Sequence, residues 1–285
     1  MVKPSPFDYV KPASLDEALS LLSKSDGEVA ILAGGQSLMP TLNMRLSSPS
    51  LLIDINGIRE LDGIEVVEDV IRIGALTRHQ VVQTSADVAR HAPLISLAMP
   101  HIAHPAIRNR GTFGGSIALA DPAAELPACL CALGASIEIA GKKGTRKVSA
   151  GEFFKDLYQT DLADDELLTA VEIPVLADGY RSAFEELARR HGDYAMTGLA
   201  AHGLIDGDKV SDLRLAFFAV GGTPVLAKNG AAAAEGKTVG DEMISAVQSA
   251  LEKDLDPFDD LNCSAAVKLL YAKELTSRVL KALIK

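Results

Sequence analysis

The stretch Val29-Ala30-Ile31-Leu32-Ala33-Gly34-Gly35-Gln36-Ser37-Leu38 runs from four apolar, strand-forming residues straight into a glycine pair and a hydroxyl. With no Cβ at either glycine, main-chain N–H groups can approach an anion closely, and the Ser37 hydroxyl adds a donor. Leu38, Leu42 and Leu46 recur at four-residue spacing, which predicts a short helix with Pro40 in its first turn. If Ser37 opens that helix, the free amides and the positive dipole end favour the same anion. Strand, glycine turn and helix start together read as a phosphate cradle. Purely steric turns share the pattern, so alone it divides evenly between the two readings.

Arg110-Gly111-Thr112-Phe113-Gly114-Gly115-Ser116 repeats the arrangement as a second loop: a hydroxyl, two glycines, another hydroxyl. Two such cradles suit a diphosphate. Neither continues into the GK[ST] of a P-loop, and neither carries the three glycines and following acidic residue of a dinucleotide-binding Rossmann turn. Nucleotide hydrolysis and ordinary NAD domains are disfavoured.

Outward from these loops the pattern is mixed. Ser14-Leu15-Asp16-Glu17 has capping-box spacing ahead of a helix bearing Ala18, Leu19 and Leu22. Leu51 to Ile55 reads as a strand and Val66 to Gly74 as a hairpin around Asp69. Thr77 is placed to cap a helix containing Val81 and Val82. Residues 89–99 and 122–133 have helical periodicity, 100–110 reads as irregular, and 136–148 forms a hairpin across GKKG. Residues 166–173 are a further strand. Pro, Asp and Gly between 174 and 179 mark a boundary, dividing the chain into 1–177 and 178–285. Beyond it, 199–205 faces 213–220 across Asp206-Gly207-Asp208, and helices over 241–253 and 264–285 are expected to cover one face of that antiparallel sheet. The fold class is α+β.

Composition limits the partners. A net charge of -10 and a pI near 5.1 oppose a nucleic-acid surface, and the absence of Trp with 5% aromatic content weakens stacking-based recognition. No apolar run approaches the ~18 residues of a membrane span. The opening MVKPSPFDYVKPASLDE lacks the plan of a secretory leader, and cytoplasm is expected. Cys129, Cys131 and Cys263 cannot all pair within one chain and read as reduced core thiols.

AGGQSLMP (33–40), LIDI (52–55), IGALT (73–77), HPAIRNRGTFGGSIALADPAAELPA (104–128), ELLTAVEIP (166–174) and ARRHGDYA (188–195) occur in that order and span most of the chain. In these motifs the sequence resembles the FAD-binding medium subunit of molybdenum hydroxylases, such as carbon monoxide dehydrogenase and xanthine dehydrogenase. The resemblance implies a two-part FAD domain of the vanillyl-alcohol-oxidase (PCMH) type over 1–177. A smaller flavoprotein C-terminal domain of antiparallel sheet and helices would occupy 178–285. It implies that Ala33, Gly34, Gly35, Gln36, Ser37 and Leu38, with Thr112, Gly114, Gly115 and Ser116, hold the diphosphate of non-covalent FAD. Asp121 would share that pocket, and Glu125 falls where related eukaryotic enzymes carry an Asp that reaches the ribose. Ile102 and Tyr194 match positions against the flavin ring. Several relatives carry a Lys in the strand before ARR, whereas this chain has Glu185 and Glu186.

The resemblance further implies a molybdenum cofactor on a large partner subunit and [2Fe–2S] clusters on a small one, in a dimer of heterotrimers. This chain would collect electrons from the clusters and pass them to an external acceptor; no residue of it is expected to be catalytic or to bind a metal. The alternatives are a stand-alone FAD oxidase or reductase of the same fold, and an interaction module that has lost FAD. Substituted glycine loops would favour the last, and none are present. His101 and His104 are weak metal or covalent-flavin candidates, lacking Cys or carboxylate partners at ligand spacing. Arg108 and Arg110 can neutralise phosphate or serve as ion-pair or subunit contacts. Asp164-Asp165-Glu166 reads as a solvated turn.

Overall fold

The computed structural model describes residues 3–24 and 27–285. A small parallel sheet comes first: β1 (Asp8–Val10), β2 (Val29–Leu32) and β3 (Leu51–Asp54), in the order β1-β3-β2. The Ser14 hydroxyl accepts the Glu17 N–H (3.2 Å), and the Glu17 carboxylate accepts the Ala13 N–H (2.8 Å). That capping starts α1 (Leu15–Lys24), which buries Ala18, Leu19 and Leu22 as its periodicity predicts. The first glycine segment leads from β2 into α2 (Leu38–Asn43). Ser37 stands at its N-cap but makes no side-chain cap hydrogen bond.

The second sheet is antiparallel. β4 (Ile64–Val67), β5 (Val70–Gly74), β6 (Ser136–Gly141), β7 (Gly144–Ser149) and β10 (Leu167–Pro174) take the order β4-β5-β10-β6-β7, with a minor pair β8 (Phe154–Asp156) and β9 (Gln159–Thr160) outside it. In central β10, Leu168 and Val171 join the core under the helices, while Leu167 joins the core of the small parallel sheet. Burial on both faces explains its unbroken apolar run.

Several expectations are corrected between β5 and β10. Thr77 caps no helix: its buried hydroxyl accepts the Gly63 N–H (3.0 Å) and donates to the Gly63 carbonyl (2.9 Å), and α3 (His79–Thr84) begins after Arg78 uncapped. The single helix expected over 89–99 is two, α4 (Ala86–His91) and α5 (Pro93–Ala98). Pro93 has no N–H to continue the first and occupies the first position of the second. The irregular stretch holds a short helix, α6 (Pro105–Arg108). The second glycine segment is the first turn of α7 (Phe113–Leu119), where the Thr112 hydroxyl accepts the Gly115 N–H at 3.2 Å. Helix α8 begins at Glu125 (Glu125–Leu133) and is followed after β7 by α9 (Ala150–Phe153). Glu166 is no solvated turn residue: Arg146 donates to both its carboxylate oxygens (2.8 and 2.7 Å) and to Asp161 (2.7 Å).

The C-terminal sheet runs β11 (Tyr180–Ala188), β12 (Ala195–Asp206), β13 (Lys209–Phe218), β14 (Val225–Leu226), with β15 (Lys237–Thr238) against β13. The hairpin expected across Asp206-Gly207-Asp208 is present, with Asp206 paired to Lys209 over a two-residue turn in which Gly207 has φ +63. Leu199, Ala201, Leu215 and Phe217 face a core shared with α11 (Asp241–Ala250) and α12 (Ala265–Leu283), after the short α10 (Lys228–Ala234). Alternate residues Ala200, Ala216 and Phe218 face the other way, into the core built on α8. The sheet is therefore covered on both sides, one of them by α8 and the helices packed with it.

Candidate cofactor site

The two glycine segments are in contact. A Cβ on Gly34 would lie 2.6 Å from the Arg110 carbonyl oxygen and 2.8 Å from Gly111 Cα, and one on Gly114 would lie 2.6 Å from Ala75 Cβ. A polar clamp holds them. Asn56 Nδ2 donates to the Ala33 carbonyl (2.8 Å) and to Asp54 Oδ1 (2.7 Å). Arg78 donates to Asn56 Oδ1 (2.6 Å) and to the Arg110 carbonyl. Tyr9 donates to Asp54 Oδ2 (2.6 Å). Burial opposes the charge on Asp54, but the Tyr9 and Asn56 hydrogen bonds and nearby Lys11 outweigh it and hold the carboxyl below its ordinary range.

A cavity of about 600 Å³ opens along this junction, within the size range of cofactor sites. Its walls include Ala33, Gly34, Gly35, Gln36, Ser37, Leu38, Ile102, Thr112, Gly114, Gly115, Ser116, Asp121, Glu125 and Tyr194. The fourteen residues that the resemblance assigned to the cofactor thus line one cavity, and Arg108, Arg110, His101 and His104 do not. The two segments are not equivalent, however. Among the described residues, the N–H groups of Gly34, Gly35, Gln36, Ser37 and Leu38 donate to no protein acceptor. Those of Phe113, Gly114, Gly115 and Ser116 are already used by Thr77, Ala75 and Thr112. Only the first segment keeps a run of free amides that an anion can take. The second presents the Ser116 hydroxyl and closes the floor, its glycines serving the close approach of α7 to β5. Among the described residues no Lys or Arg lines the cavity, so an anion there is met by amides and hydroxyls rather than by cations.

Glu125, 7% exposed, faces the cavity, and its carboxyl accepts its own main-chain N–H. Burial, then the charges of Glu186 and Asp121, push it up to about 8. Burial also raises Asp121, against the Ala123 N–H (2.9 Å) and the Tyr158 hydroxyl (3.3 Å) that it accepts. Tyr194 stands at the mouth, 66% exposed, and Ile102 is buried in the wall. His79 also lines the cavity; burial, against a main-chain hydrogen bond at Thr112, pushes its imidazole down to about 4, so it is neutral at pH 7. These features fit a dinucleotide: an unoccupied amide run, two unshared hydroxyls and a neutral carboxyl on one wall.

The FAD binding domain in molybdopterin dehydrogenase matches residues 5–176, and the CO dehydrogenase flavoprotein C-terminal domain matches residues 182–283. The chain is 40% identical to caffeine dehydrogenase subunit beta of Pseudomonas sp. (strain CBB1), over 98% of this chain and 95% of that one. The fold superposes on carbon monoxide dehydrogenase from Hydrogenophaga pseudoflava with a TM-score of 0.95 at 36% identity, covering 98% of each chain. For quinoline 2-oxidoreductase from Pseudomonas putida 86 the values are 0.93 and 37%, over 99% of this chain and 98% of that one. This chain belongs to the FAD-binding subunits of the molybdenum hydroxylases. It is a flavoprotein component of a multi-subunit oxidoreductase, with the α+β fold expected.

In this flavoprotein subunit some charged groups are turned to structural ends. Buried Arg108 does not face the cavity: it donates to the carbonyls of Ile102 and Ala103 (both 2.8 Å) and to Gln83 (2.9 Å), fixing the wall beside Ile102. Arg110 offers its carbonyl to Arg78 rather than its guanidinium to the cavity. Glu185 pairs with Arg278 of α12 (2.8 Å) and Glu186 with His101 (3.3 Å), so neither position supplies a cation. The cysteines are free and buried, and among the described residues no helix is long and apolar enough to cross a membrane. Sequence reasoning missed Asn56, Arg78 and His79. Asn56 follows LIDI and the others follow IGALT, so their places beside matched motifs were the available signal.

Proposed function

We propose that this chain holds FAD as a relay, taking electrons from [2Fe–2S] clusters of a small partner subunit and passing them to an external acceptor, while a molybdenum cofactor on a large partner oxidises substrate. The free amide run from Gly34 to Leu38, opening into the cavity where the two glycine segments meet, carries the reading of the site. Near-complete alignment with subunits of dehydrogenase complexes supports the relay over a self-sufficient enzyme. We place the FAD domain at 1–177, the C-terminal domain at 178–285, and the assembly, a dimer of heterotrimers, in the cytoplasm.

The bound flavin supplies a centre able to accept electrons singly and release them in pairs. Gly34, Gly35, Gln36, Ser37 and Leu38 meet the diphosphate with N–H groups beside Ala33, and Ser116 adds a hydroxyl. Thr112, Gly114 and Gly115 set the facing wall. Glu125 and Asp121 serve the ribose side, and Glu125 enters neutral, as a donor. Ile102 and Tyr194 flank the ring and limit access of water to it.

Purification of the untagged complex tests this. Stoichiometric co-purification of two further chains, with Mo and Fe by metal analysis and flavin absorbance on this chain, is expected. A flavin-bearing chain that purifies alone, without Mo or Fe, and turns over an organic donor would establish the stand-alone oxidase instead.

A further inference from the structure

Ile102 and Tyr194, the side chains proposed to flank the flavin ring, lie on two segments that touch. Ile102 directly precedes Ala103, and Tyr194 stands two residues after Gly192. All four residues line the cofactor cavity. A Cβ on Gly192 would lie 2.8 Å from the Ala103 carbonyl oxygen and 2.8 to 2.9 Å from the His104 ring. Gly192 also has φ +83, which strains any residue with a side chain, so glycine alone suits the contact. His101 adds a second contact from the same turn: its Nδ1 lies 3.3 Å from Oε1 of Glu186 on β11, the strand that leads into the Gly192 loop.

The Ala103 carbonyl is itself pinned. Ala103 has φ +47, a left-handed conformation unfavourable to a residue with a Cβ. Arg108 Nη1 donates to the Ala103 carbonyl and to that of Ile102 (both 2.8 Å), while its Nε donates to Gln83 on α3 (2.9 Å). Arg108 is only 7% exposed, so relaxing the turn would strand a buried guanidinium without acceptors. On the facing segment, the Asp193 N–H closes a turn onto the Arg190 carbonyl (3.1 Å), and Ala195 enters the core at the start of β12. Tyr194 is thus held between two fixed points, Gly192 and Ala195, although it is 66% exposed.

We propose that Arg108 is a positioning residue for both flanking side chains: by pinning the Ala103 carbonyl it seats Gly192, and this main-chain latch sets how far Tyr194 stands from Ile102. The gap between those two side chains in turn sets how much of the ring is open to solvent and to the acceptor. The inference rests on FAD occupying this cavity. Arg108 touches neither ring nor substrate; it acts through the backbone of Ala103. Loss of the latch from either side, at Arg108 or at Gly192, therefore has one common result, a Tyr194 loop freed from the 101–104 turn.

Hydrogen exchange over residues 189–196 of the purified full chain is the first test. Arg108→Gln and Gly192→Ala are each expected to speed it about tenfold, with residues 199–205 unchanged. The double variant is expected to exchange no faster than the faster single one; effects that multiply mark two independent contacts and overturn the latch, as does unchanged exchange in Gly192→Ala. Gly192→Ala removes no hydrogen bond, so it decides the matter if Arg108→Gln loosens 199–205 as well. In the FAD-loaded chain, quenching of flavin fluorescence by iodide is expected to rise roughly threefold in both variants as the ring opens to solvent. Quenching that stays at the native level while 189–196 exchanges faster overturns the link to the ring. Flavin content is read separately from visible absorbance: a chain that takes up no FAD sinks the cofactor reading, and exchange over 189–196 still decides whether the latch exists.

Discussion

Gly34 shows how much one missing atom arranges. Its absent Cβ lets the first glycine segment touch the Arg110 carbonyl at a distance no side chain tolerates, and that contact seals the cavity floor. Gly34→Ala is expected to force the segments apart and weaken FAD retention at least tenfold, measured as flavin per chain after gel filtration. Gly151→Ala, where a Cβ meets nothing within 4 Å, is the control and should retain its flavin. The identity of the cavity residues was legible in the sequence, because glycines and hydroxyls announce close main-chain approach by their type. Which amides remain free was not, since Gly114 and Phe113 spend theirs on Ala75 and Thr77, partners some forty positions away. His79 was silent for the same reason: its burial against the cavity is a property of packing, not of local pattern.

Between elements, the clamp from Asn56 through Arg78 ties the turn after β2 to the segment before α7. Asn56→Ala leaves the Ala33 carbonyl and Arg78 without their donor and acceptor. The expected cost is roughly 1–3 kcal/mol in urea unfolding, with FAD affinity reduced about 5- to 100-fold. Unchanged affinity in a folded variant would remove the clamp from the site. The capping of α1 and the hairpin turn at Asp206-Gly207-Asp208 could be read from short windows. The start of α7 could not: two successive glycines are poor helix formers, and only the packing of Gly114 on Ala75 makes a helix there the better state. Pro93 marked a break that periodicity alone ran through.

At the scale of the molecule, buried titrating groups set an opposed pH dependence. His79 and His202 have folded values of about 4 against 6.5, held down first by burial, so the unfolded chain binds more protons below 6.5. Their contribution is complete above that pH and is lost as pH falls toward 4. Glu125, raised from 4.5 to about 8, has the reverse sign: its contribution is complete below 4.5 and is lost as pH rises through 8. Stability in denaturant titrations is therefore expected to peak near pH 6.5. Each group contributes a slope of at most about 1.4 kcal/mol per pH unit in its window. Glu125→Gln should flatten the decline between 6.5 and 8, and His202→Asn should shallow the acid side. An unaltered alkaline limb in Glu125→Gln would show that this carboxyl is ionised in the native protein.

From sequence alone follow the strand-and-glycine signals, the α+β class and the family, because these depend on residue types at short spacing and on the order of motifs along the chain. Tertiary structure decided the rest. The inequality of the two glycine segments, the turning of Arg108 away from the cavity, and the raised Glu125 carboxyl all depend on burial and on partners distant in sequence. Hydrogen-bond satisfaction and desolvation are settled only when those partners meet.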